Sequence, residues 1–270
     1  AKQLVQALQR LAKLAALPEL PEPVVGASPY GYRNKLVMHP CPEAATVEAP
    51  YGFVTTDNKR VIPISQCPLA QAPLNDCLAS LAAELAAADE SQETEARPTG
   101  DLVLRNPTSG PPCSFIGSPP DRMAWLSESL QGKPVVVPPS VFWQVNPPVA
   151  EALTEQLLAW WDERPMPLLI DAYAGIGTFS LALGERVEEA LLIELDPVAV
   201  KAARTNHEQW GLKGREFINA PTETVLHEAV EALGDRCHEL TVILDPPRGG
   251  CGASVVESLC RQPVAQIIYV

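Results

Sequence analysis

The second half of the chain alternates short apolar runs with helical segments, and this alternation constrains the fold more than any other feature. The predicted strands are Leu168–Asp171, Ala190–Glu194, Glu216–Ile218, Leu240–Asp245 and Ala265–Val270. The predicted helices between them are Gly175–Leu183, Pro197–Trp210, Thr222–Leu233 and Ser254–Cys260. Uniformly apolar strands that alternate with helices are typical of a parallel, doubly wound sheet. The sequence therefore predicts an α/β domain over residues 141–270.

The first half, residues 1–140, is interrupted by prolines and predicts a smaller α+β accessory domain. Its strand-like runs are Tyr32–Met38, Tyr51–Thr56, Val61–Ile64, Leu102–Leu104 and Val135–Val137. Among them we expect one alanine-rich helix over Pro68–Ala88, followed by an exposed loop over Asp89–Gly100. Residues 1–18 lack acids and predict an amphipathic helix, with a transit peptide as the alternative. The chain does not begin with Met, so we expect it to be trimmed or a fragment.

Charge and cysteine usage exclude several classes of protein. The chain has 33 Asp plus Glu against 20 Lys plus Arg, a formal charge of −13. This balance argues against a protein that simply coats a polyanion, although it leaves room for a local basic face. Seven cysteines without a CxxC pair argue against a disulfide framework and indicate a reducing compartment such as the cytoplasm or an organelle. No apolar stretch predicts a membrane-spanning helix.

The first predicted strand runs into a glycine turn that predicts a ligand site. Gly175 and Gly177 allow a tight turn, and Glu194 follows Gly175 at the spacing of an acid that reaches a ribose diol. Ser180 stands where a dinucleotide fingerprint needs a third glycine, and Asp171 would repel a pyrophosphate. S-adenosylmethionine carries a cationic amino group and no phosphate, so we favour it over NAD. A turn that serves only packing is the remaining alternative.

The fourth predicted strand ends in Asp245-Pro246-Pro247-Arg248. Because two prolines fix the backbone after the acid, we expect Asp245 to stay at the carboxyl edge of the sheet, where it can accept hydrogen bonds from a planar substrate. Arg248 can pair with a phosphate or carboxylate. The alternative is a strand terminator with a helix-capping acid.

Two aromatic residues precede a side-chain amide in the run Phe142-Trp143-Gln144. Such a group can stack on a base and read its edge. It can equally pack between the two halves of the chain, because exposed and buried aromatics look alike in sequence.

Taken in order, the runs FWQVN, DAYAGIGTFSL, IELD, LDPPRGG and IIYV resemble the RNA uracil-C5 methyltransferase family. In the first half, the element GYRNK within Tyr30–Lys35, the run YGF at Tyr51 and the run QCPL at Gln66 continue the resemblance. Members of this family make 5-methyluridine in ribosomal or transfer RNA. The resemblance implies a class I, Rossmann-like methyltransferase domain that uses S-adenosylmethionine and is incomplete after its fifth strand.

The resemblance also implies site residues. The positions expected to bind the cofactor are Gln144, Tyr173, Glu194 and Asp245, with Thr178 at a further contact of some members. To these the spacing argument adds Asp171, Gly175 and Gly177. The residues expected to contact RNA are Phe142, Arg33, Lys35 and Arg248.

Methylation at uracil C5 needs a thiolate that adds to C6 and a base that removes the C5 proton. In the family, the cysteine follows the fifth strand in an SCNP-like run, which we expect just after Val270. The resemblance therefore predicts a chain truncated at both ends that binds S-adenosylmethionine without catalysis. Cys251, near the end of the fourth strand, is the alternative nucleophile, against a role as a packed thiol.

Metal binding by this chain alone is not expected. Its four histidines have no metal-ligand spacing, and we expect His207 and His227 to be solvated or to cap helices. In iron–sulfur members of the family, a cysteine in the context of Cys67 is the fourth ligand of a cluster. Cys67 is therefore either a ligand of a [4Fe-4S] cluster in the full-length protein or a buried thiol.

The function predicted from these features is methyl transfer from S-adenosylmethionine to uridine C5 in RNA. Cys67 and the GYRNK element favour ribosomal over transfer RNA, and we expect a monomer with no membrane partner. Two alternatives stay open: a methyltransferase of another substrate class, and a catalytically silent RNA-binding protein.

Overall fold

The computed structural model describes residues 5–6, 9–10, 13, 25–41, 49–90 and 100–270. Most of the predicted N-terminal helix, and most of the predicted loop after residue 89, lie outside these ranges. Within them, no helix is both long and apolar enough to cross a bilayer.

The accessory half forms an antiparallel sheet of five strands in the order β3-β2-β1-β4-β5. The strands are β1 (Lys35–Pro40), β2 (Tyr51–Val54), β3 (Val61–Pro63), β4 (Leu102–Arg105) and β5 (Cys113–Ile116). Helix α1 (Ala72–Glu90) packs on one face, where Leu74 and Leu78 are buried with Leu36 and Leu104. Strand β5 escaped the sequence prediction, because prolines flank its short run and obscure any alternation.

A β-hairpin follows, formed by β6 (Leu126–Leu130) and β7 (Lys133–Val137). Gln131 and Gly132 both have positive φ angles, as the tight turn of a hairpin requires. The hairpin packs on a helix of the second half: the side chain of Asn206 bonds to the backbone N–H and C=O of Val136 at 2.8 and 3.0 Å. The hairpin lies before residue 140 but contacts the second half of the chain. The predicted division of the chain at residue 140 therefore stays a prediction.

The second half forms a five-stranded parallel sheet in the order β10-β9-β8-β11-β12, which confirms the predicted doubly wound sheet. Its strands are β8 (Leu168–Ala172), β9 (Glu189–Glu194), β10 (Arg215–Asn219), β11 (Leu240–Leu244) and β12 (Gln266–Tyr269). Its helices are α2 (Pro147–Glu163), α3 (Thr178–Leu183), α4 (Pro197–Gln209), α5 (Thr222–Glu231) and α6 (Ala253–Arg261). Short 3-10 helices occupy Gly184–Arg186 and Gly234–Glu239.

Helices cover both faces of this sheet. Trp161 of α2 and Phe179 of α3 are buried on one face, and Leu226 of α5 and Val255 of α6 on the other. The chain moves outwards from β8 through β9 to β10, and then returns to place β11 on the other side of β8. Ligands of open α/β sheets bind at such a switch point, beyond the carboxyl ends of the strands.

Two adjacent tryptophans of α2 provide a test of this packing. Trp161 is 0% exposed, whereas Trp160 is 41% exposed. We expect Trp161→Ala to lower the free energy of unfolding by about 3–5 kcal/mol, because it leaves a cavity in the core. Urea denaturation measures the effect. Trp160→Ala is the matched control and should change stability far less; equal losses from the two substitutions would contradict the described packing.

Candidate functional site

A glycine turn, residues 173–178, joins β8 to α3 at the switch point. Tyr173, Gly175 and Gly177 have φ angles of 62, 56 and 81°, in the region that favours glycine. A Cβ at Gly177 would also lie 2.6 Å from Cε1 of His207. Gly177 is therefore required both for its backbone conformation and for the space that it leaves.

Asp171, in β8, is a fully buried carboxyl group beneath this turn. Its Oδ2 accepts a hydrogen bond from the backbone N–H of Ser180 at 3.1 Å, whereas its buried Oδ1 has no hydrogen-bond partner in the structure. Burial raises the pKa of Asp171 to about 7; hydrogen bonds from Ser180 oppose the rise, and the charges of Asp245 and Glu194 add to it. An unsatisfied carboxyl group near two further acids is a favourable place for a cation.

Glu194, the last residue of β9, ties the glycine turn to the neighbouring strand. Its Oε2 accepts a hydrogen bond from the backbone N–H of Gly175 at 2.8 Å, and its Oε1 accepts one from Asp196 at 2.8 Å. Asp196 in turn caps the start of α4 by accepting a hydrogen bond from the N–H of Val198. The carboxylate is thereby held in a fixed position at the carboxyl edge of the sheet.

Two residues beside Glu194 were missed by the sequence analysis. Leu195 is a large apolar residue that is 63% exposed. Asn219, at the end of β10, donates hydrogen bonds through Nδ2 to the backbone carbonyls of Glu194 and Leu195, at 3.0 and 2.7 Å. A polar residue at the end of the third strand was the signal that could have identified Asn219.

Tyr173 is a non-glycine residue in the left-handed region, a strained conformation that is common at functional sites. Its hydroxyl donates a hydrogen bond to Oε1 of Glu223 at 2.7 Å. The backbone carbonyl of Glu223 accepts a hydrogen bond from Ser254 Oγ at 3.1 Å. Burial raises the pKa of Tyr173, and the bond to Glu223 raises it further, so the phenol stays protonated.

Asp245 directly follows β11 and lies at the same edge. It is half-buried, and burial raises its pKa. Arg248, three residues further on, is exposed. Because β8, β9 and β11 are adjacent strands, the structure brings one group of predicted site residues to a common edge. That group comprises Asp171, Tyr173, Gly175, Gly177, Thr178, Glu194 and Asp245.

Residues 138–146, here called the connecting loop, lead from β7 to α2 and carry the two aromatics. Trp143 is 4% exposed and belongs to the same buried cluster as Ile176 of the glycine turn, so it packs in the core. Phe142 is 62% exposed and open to a partner. Gln144 follows, half-buried, with its backbone carbonyl bonded to Nδ2 of Asn34 at 3.2 Å.

The basic residues Arg33 and Lys35 lie in the accessory half. The backbone N–H of Arg33 donates to the carbonyl of Leu69 at 2.8 Å. Lys35 begins β1, and burial, together with the charge of Arg105, lowers its pKa to about 8. Among the described residues, no hydrogen bond or ion pair joins either side chain to the carboxyl edge of the parallel sheet.

Cys67 is buried in the accessory core at 4% exposure, and its backbone N–H and carbonyl both bond to the side chain of Asn75. In the ranges that the structure describes, no group of three or more metal-ligating side chains occurs. The role of Cys67 as a cluster ligand stays a prediction.

The prediction that His207 is solvated or caps a helix was wrong. Its side chain is 1% exposed, with Nδ1 bonded to the carbonyl of Ala203 at 2.7 Å and Nε2 at 3.1 Å from Ser180 Oγ. Burial lowers its pKa to about 4, so the ring is neutral at physiological pH. A helical histidine looks alike in sequence whether it faces solvent or the core. Here the buried ring lies against Gly177 of the glycine turn.

Comparison with curated proteins finds RNA methyltransferases. The chain is 30% identical to an uncharacterized RNA methyltransferase of Nostoc sp., with 99% of the chain and 67% of that protein aligned. It is 27% identical to an uncharacterized RNA methyltransferase of Synechocystis sp., over 100% of the chain and 66% of that protein. The tRNA (uracil-5-)-methyltransferase homolog A of Homo sapiens is 32% identical over 54% of the chain and 23% of that protein. The chain thus spans about two thirds of the first two relatives, and no protein-family model matches it.

Among solved structures, the chain resembles the tRNA (uracil-54, C5)-methyltransferase of Pyrococcus abyssi in complex with S-adenosyl-L-homocysteine. The TM-score is 0.61 at 19% identity, over 90% of this chain and 67% of that chain. This likeness concerns the fold.

The raised pKa of Asp171 predicts a pH-dependent stability. An aspartate titrates near 3.9 in the unfolded chain and near 7 in the folded protein. The folded state therefore binds more protons between these values, and stability falls as the pH rises from about 4 to about 7. We expect Asp171→Asn to remove a slope of up to about 1.4 kcal/mol per pH unit. Urea denaturation at several pH values measures this difference.

The control is Asp162→Asn, the same change at a side chain that is 61% exposed. It should leave the slope unchanged. Parallel pH profiles for the wild type and Asp171→Asn would contradict the prediction.

Proposed function

Because the chain belongs to the RNA uracil-C5 methyltransferase family, we propose that its carboxyl-edge site binds S-adenosylmethionine and that the protein methylates C5 of a uridine in RNA. The relative from Nostoc sp., an RNA methyltransferase that aligns over nearly the whole chain, and the human tRNA (uracil-5-)-methyltransferase homolog support this membership. The substrate and the reacting atom are the proposal.

The observation that carries the cofactor assignment is the set of three acids at the switch point. Asp171, Glu194 and Asp245 lie close enough for the charges of the other two to raise the pKa of Asp171. A ligand with a pyrophosphate would be repelled there, whereas the ammonium and sulfonium charges of S-adenosylmethionine would be attracted. The unpartnered Oδ1 of Asp171 fits this assignment, because a nearby cation favours the ionised carboxylate.

Glu194 suits the ribose of this cofactor. Each of its carboxylate oxygens already accepts one backbone hydrogen bond, from Gly175 and from Asp196. Each oxygen has a second lone pair, so the group can accept two further hydrogen bonds from a vicinal diol without losing the first two. Exposed Leu195, held in place by Asn219, offers an apolar surface beside it for the adenine ring.

When bound, S-adenosylmethionine supplies an electrophilic methyl group. Tyr173, oriented by Glu223, would hold the cofactor on the side of the glycine turn, and Thr178 would offer a hydroxyl at the start of α3. Gln144 provides a side-chain amide from the connecting loop. Asp245 accepts hydrogen bonds at the end of β11.

In this proposal, the RNA contacts exposed groups near this edge and residues of the accessory half. Phe142, at 62% exposure, can stack on a base, and Arg248 can pair with a phosphate. Arg33 and Lys35 add positive charge on the accessory half. The acidity of the chain belongs mostly to the second half, where 19 acids oppose 9 Lys plus Arg.

Four of the seven cysteines are poor candidates for the thiol that C5 methylation requires. Burial raises the pKa of Cys41, Cys77, Cys113 and Cys251, the opposite of what an attacking thiolate needs. Cys251, the one of these four that lies beside Tyr173, is therefore a poor nucleophile at neutral pH. We propose that this chain binds S-adenosylmethionine without turnover and that the nucleophile follows Val270.

Glu194→Gln tests the cofactor site. The substitution removes the charge that strengthens hydrogen bonds from the ribose, so we expect the affinity for S-adenosylmethionine to fall about 10- to 100-fold. Isothermal titration calorimetry on the chain measures the dissociation constant. Glu216→Gln, the same change at an exposed position of β10, is the control and should bind like the wild type. Equal affinities for Glu194→Gln and the wild type would refute the assignment.

Nucleoside analysis tests the reaction. Incubation of the full-length protein with S-adenosylmethionine and unmodified ribosomal or transfer RNA should yield 5-methyluridine and release tritium from uridine labelled at C5. The two RNA arms identify the substrate. Another methylated nucleoside would exclude the uridine C5 assignment, methylation of neither RNA would exclude the RNA substrate, and tritium release by residues 1–270 would assign the nucleophile to a cysteine of this chain.

A further inference from the structure

The connecting loop is held by donors from the accessory half of the chain. It is the segment that carries Phe142 and Gln144, which the proposed function places against the base and the cofactor. Hydrogen bonds from two buried side chains and one backbone N–H of the accessory half end on its carbonyl oxygens. These donors suggest a role for residues that do not contact a ligand themselves.

Arg105, the last residue of β4, makes two of these bonds. Its side chain is 1% exposed, and Nη1 donates to the backbone carbonyls of Pro139 and Val141 at 3.2 and 3.0 Å. The planar guanidinium reaches both carbonyls with one nitrogen while its other nitrogens face elsewhere. One side chain thus fixes the loop on either side of residue 140.

Glu128 of β6 holds Arg105 from the other direction. Its Oε1 lies 3.6 Å from Nη2 of Arg105, and its side chain is also 1% exposed. Its Oε2 accepts hydrogen bonds from the N–H and the hydroxyl of Thr108 at 3.0 and 2.8 Å. A buried ion pair of this kind adds little net stability compared with apolar residues of the same size. A positional role accounts for a pair that stability alone does not require.

Asn34 completes the arrangement further along the loop. It is 3% exposed; its Nδ2 donates to the carbonyl of Gln144 at 3.2 Å and its backbone N–H donates to that of Val145 at 3.1 Å. Its own carbonyl accepts a hydrogen bond from the N–H of Asn106, the residue after Arg105. The GYRNK element therefore contributes a buried contact with the loop in addition to its basic residues.

We propose that Asn34, Arg105 and Glu128 form a loop clamp that positions Gln144 for the cofactor and Phe142 for the base. The clamp acts through the backbone of the connecting loop, so its members are positioning residues. It also makes the cofactor site depend on the accessory half, which contributes no residue to the glycine turn. The inference rests on the proposed function, because that proposal assigns ligands to Gln144 and Phe142.

Two substitutions disable the clamp in different places. Arg105→Lys keeps the charge, but a single ammonium cannot reproduce the fork that spans two carbonyls and a carboxylate. Asn34→Ala removes the bond to Gln144. We expect each to weaken S-adenosylmethionine binding by about 2- to 30-fold, the usual range for residues that act through a packed network.

The control is Leu78→Ala, which removes a 1% exposed side chain from the accessory core without touching the loop. It should lower the melting temperature and leave the affinity for S-adenosylmethionine unchanged. The fluorescence of Trp143, isolated by subtraction of a Trp143→Phe variant, reports the loop directly. It should shift to the red in both clamp variants, since a displaced loop exposes the indole, and should stay unchanged in Leu78→Ala.

The outcomes separate the two proposals. If the wild type fails to bind S-adenosylmethionine, the proposed function is overturned together with the cofactor role of Gln144. If the wild type binds normally and both clamp variants keep its affinity and its Trp143 spectrum, the loop clamp alone is overturned. The same holds if Leu78→Ala weakens binding as much as they do, because the effect would then be one of general stability.

Discussion

The hydrogen bond from the backbone N–H of Gly175 to Glu194 ties the turn after β8 to the end of the adjacent strand β9, beside the point where the chain crosses to the other side of the sheet. It can form because the glycine turn bends sharply after β8, and that bend is possible because Gly177 leaves room for the ring of His207. Helix α3 then starts at the correct place to let the N–H of Ser180 reach the buried Asp171. The candidate ligand site is therefore built by the same contacts that close the core around β8.

The charges at this edge of the sheet destabilise the folded chain. A carboxyl group that is fully buried with one oxygen unpartnered costs free energy, and two neighbouring acids increase that cost. Such an arrangement is expected where a bound ligand supplies the missing positive charge. The formal charge of −13 is compatible with an RNA partner, because the excess of acid belongs to the cofactor half.

The accessory half holds the connecting loop and contributes no residue to the glycine turn. Arg105 and Asn34 bond to backbone carbonyls of the connecting loop, and Trp143 packs in one cluster with Ile176. Backbone contacts of this kind transmit position and tolerate change in the side chains they hold.

Most of the parallel sheet followed from sequence, because apolar strands, glycine turns and strand-end acids are local patterns that neighbouring residues determine. The strand-end residues Asp171, Glu194 and Asp245 were identified for the same reason, since the ends of adjacent parallel strands share one edge. Strand β5, the burial of His207 and the separate fates of Phe142 and Trp143 were decided only by the tertiary structure. So was the bond between Arg105 and the loop, which joins residues more than thirty positions apart. Each depends on which residues, distant in sequence, cover a given position. Burial of that kind produces no pattern in the residues next to that position in the chain.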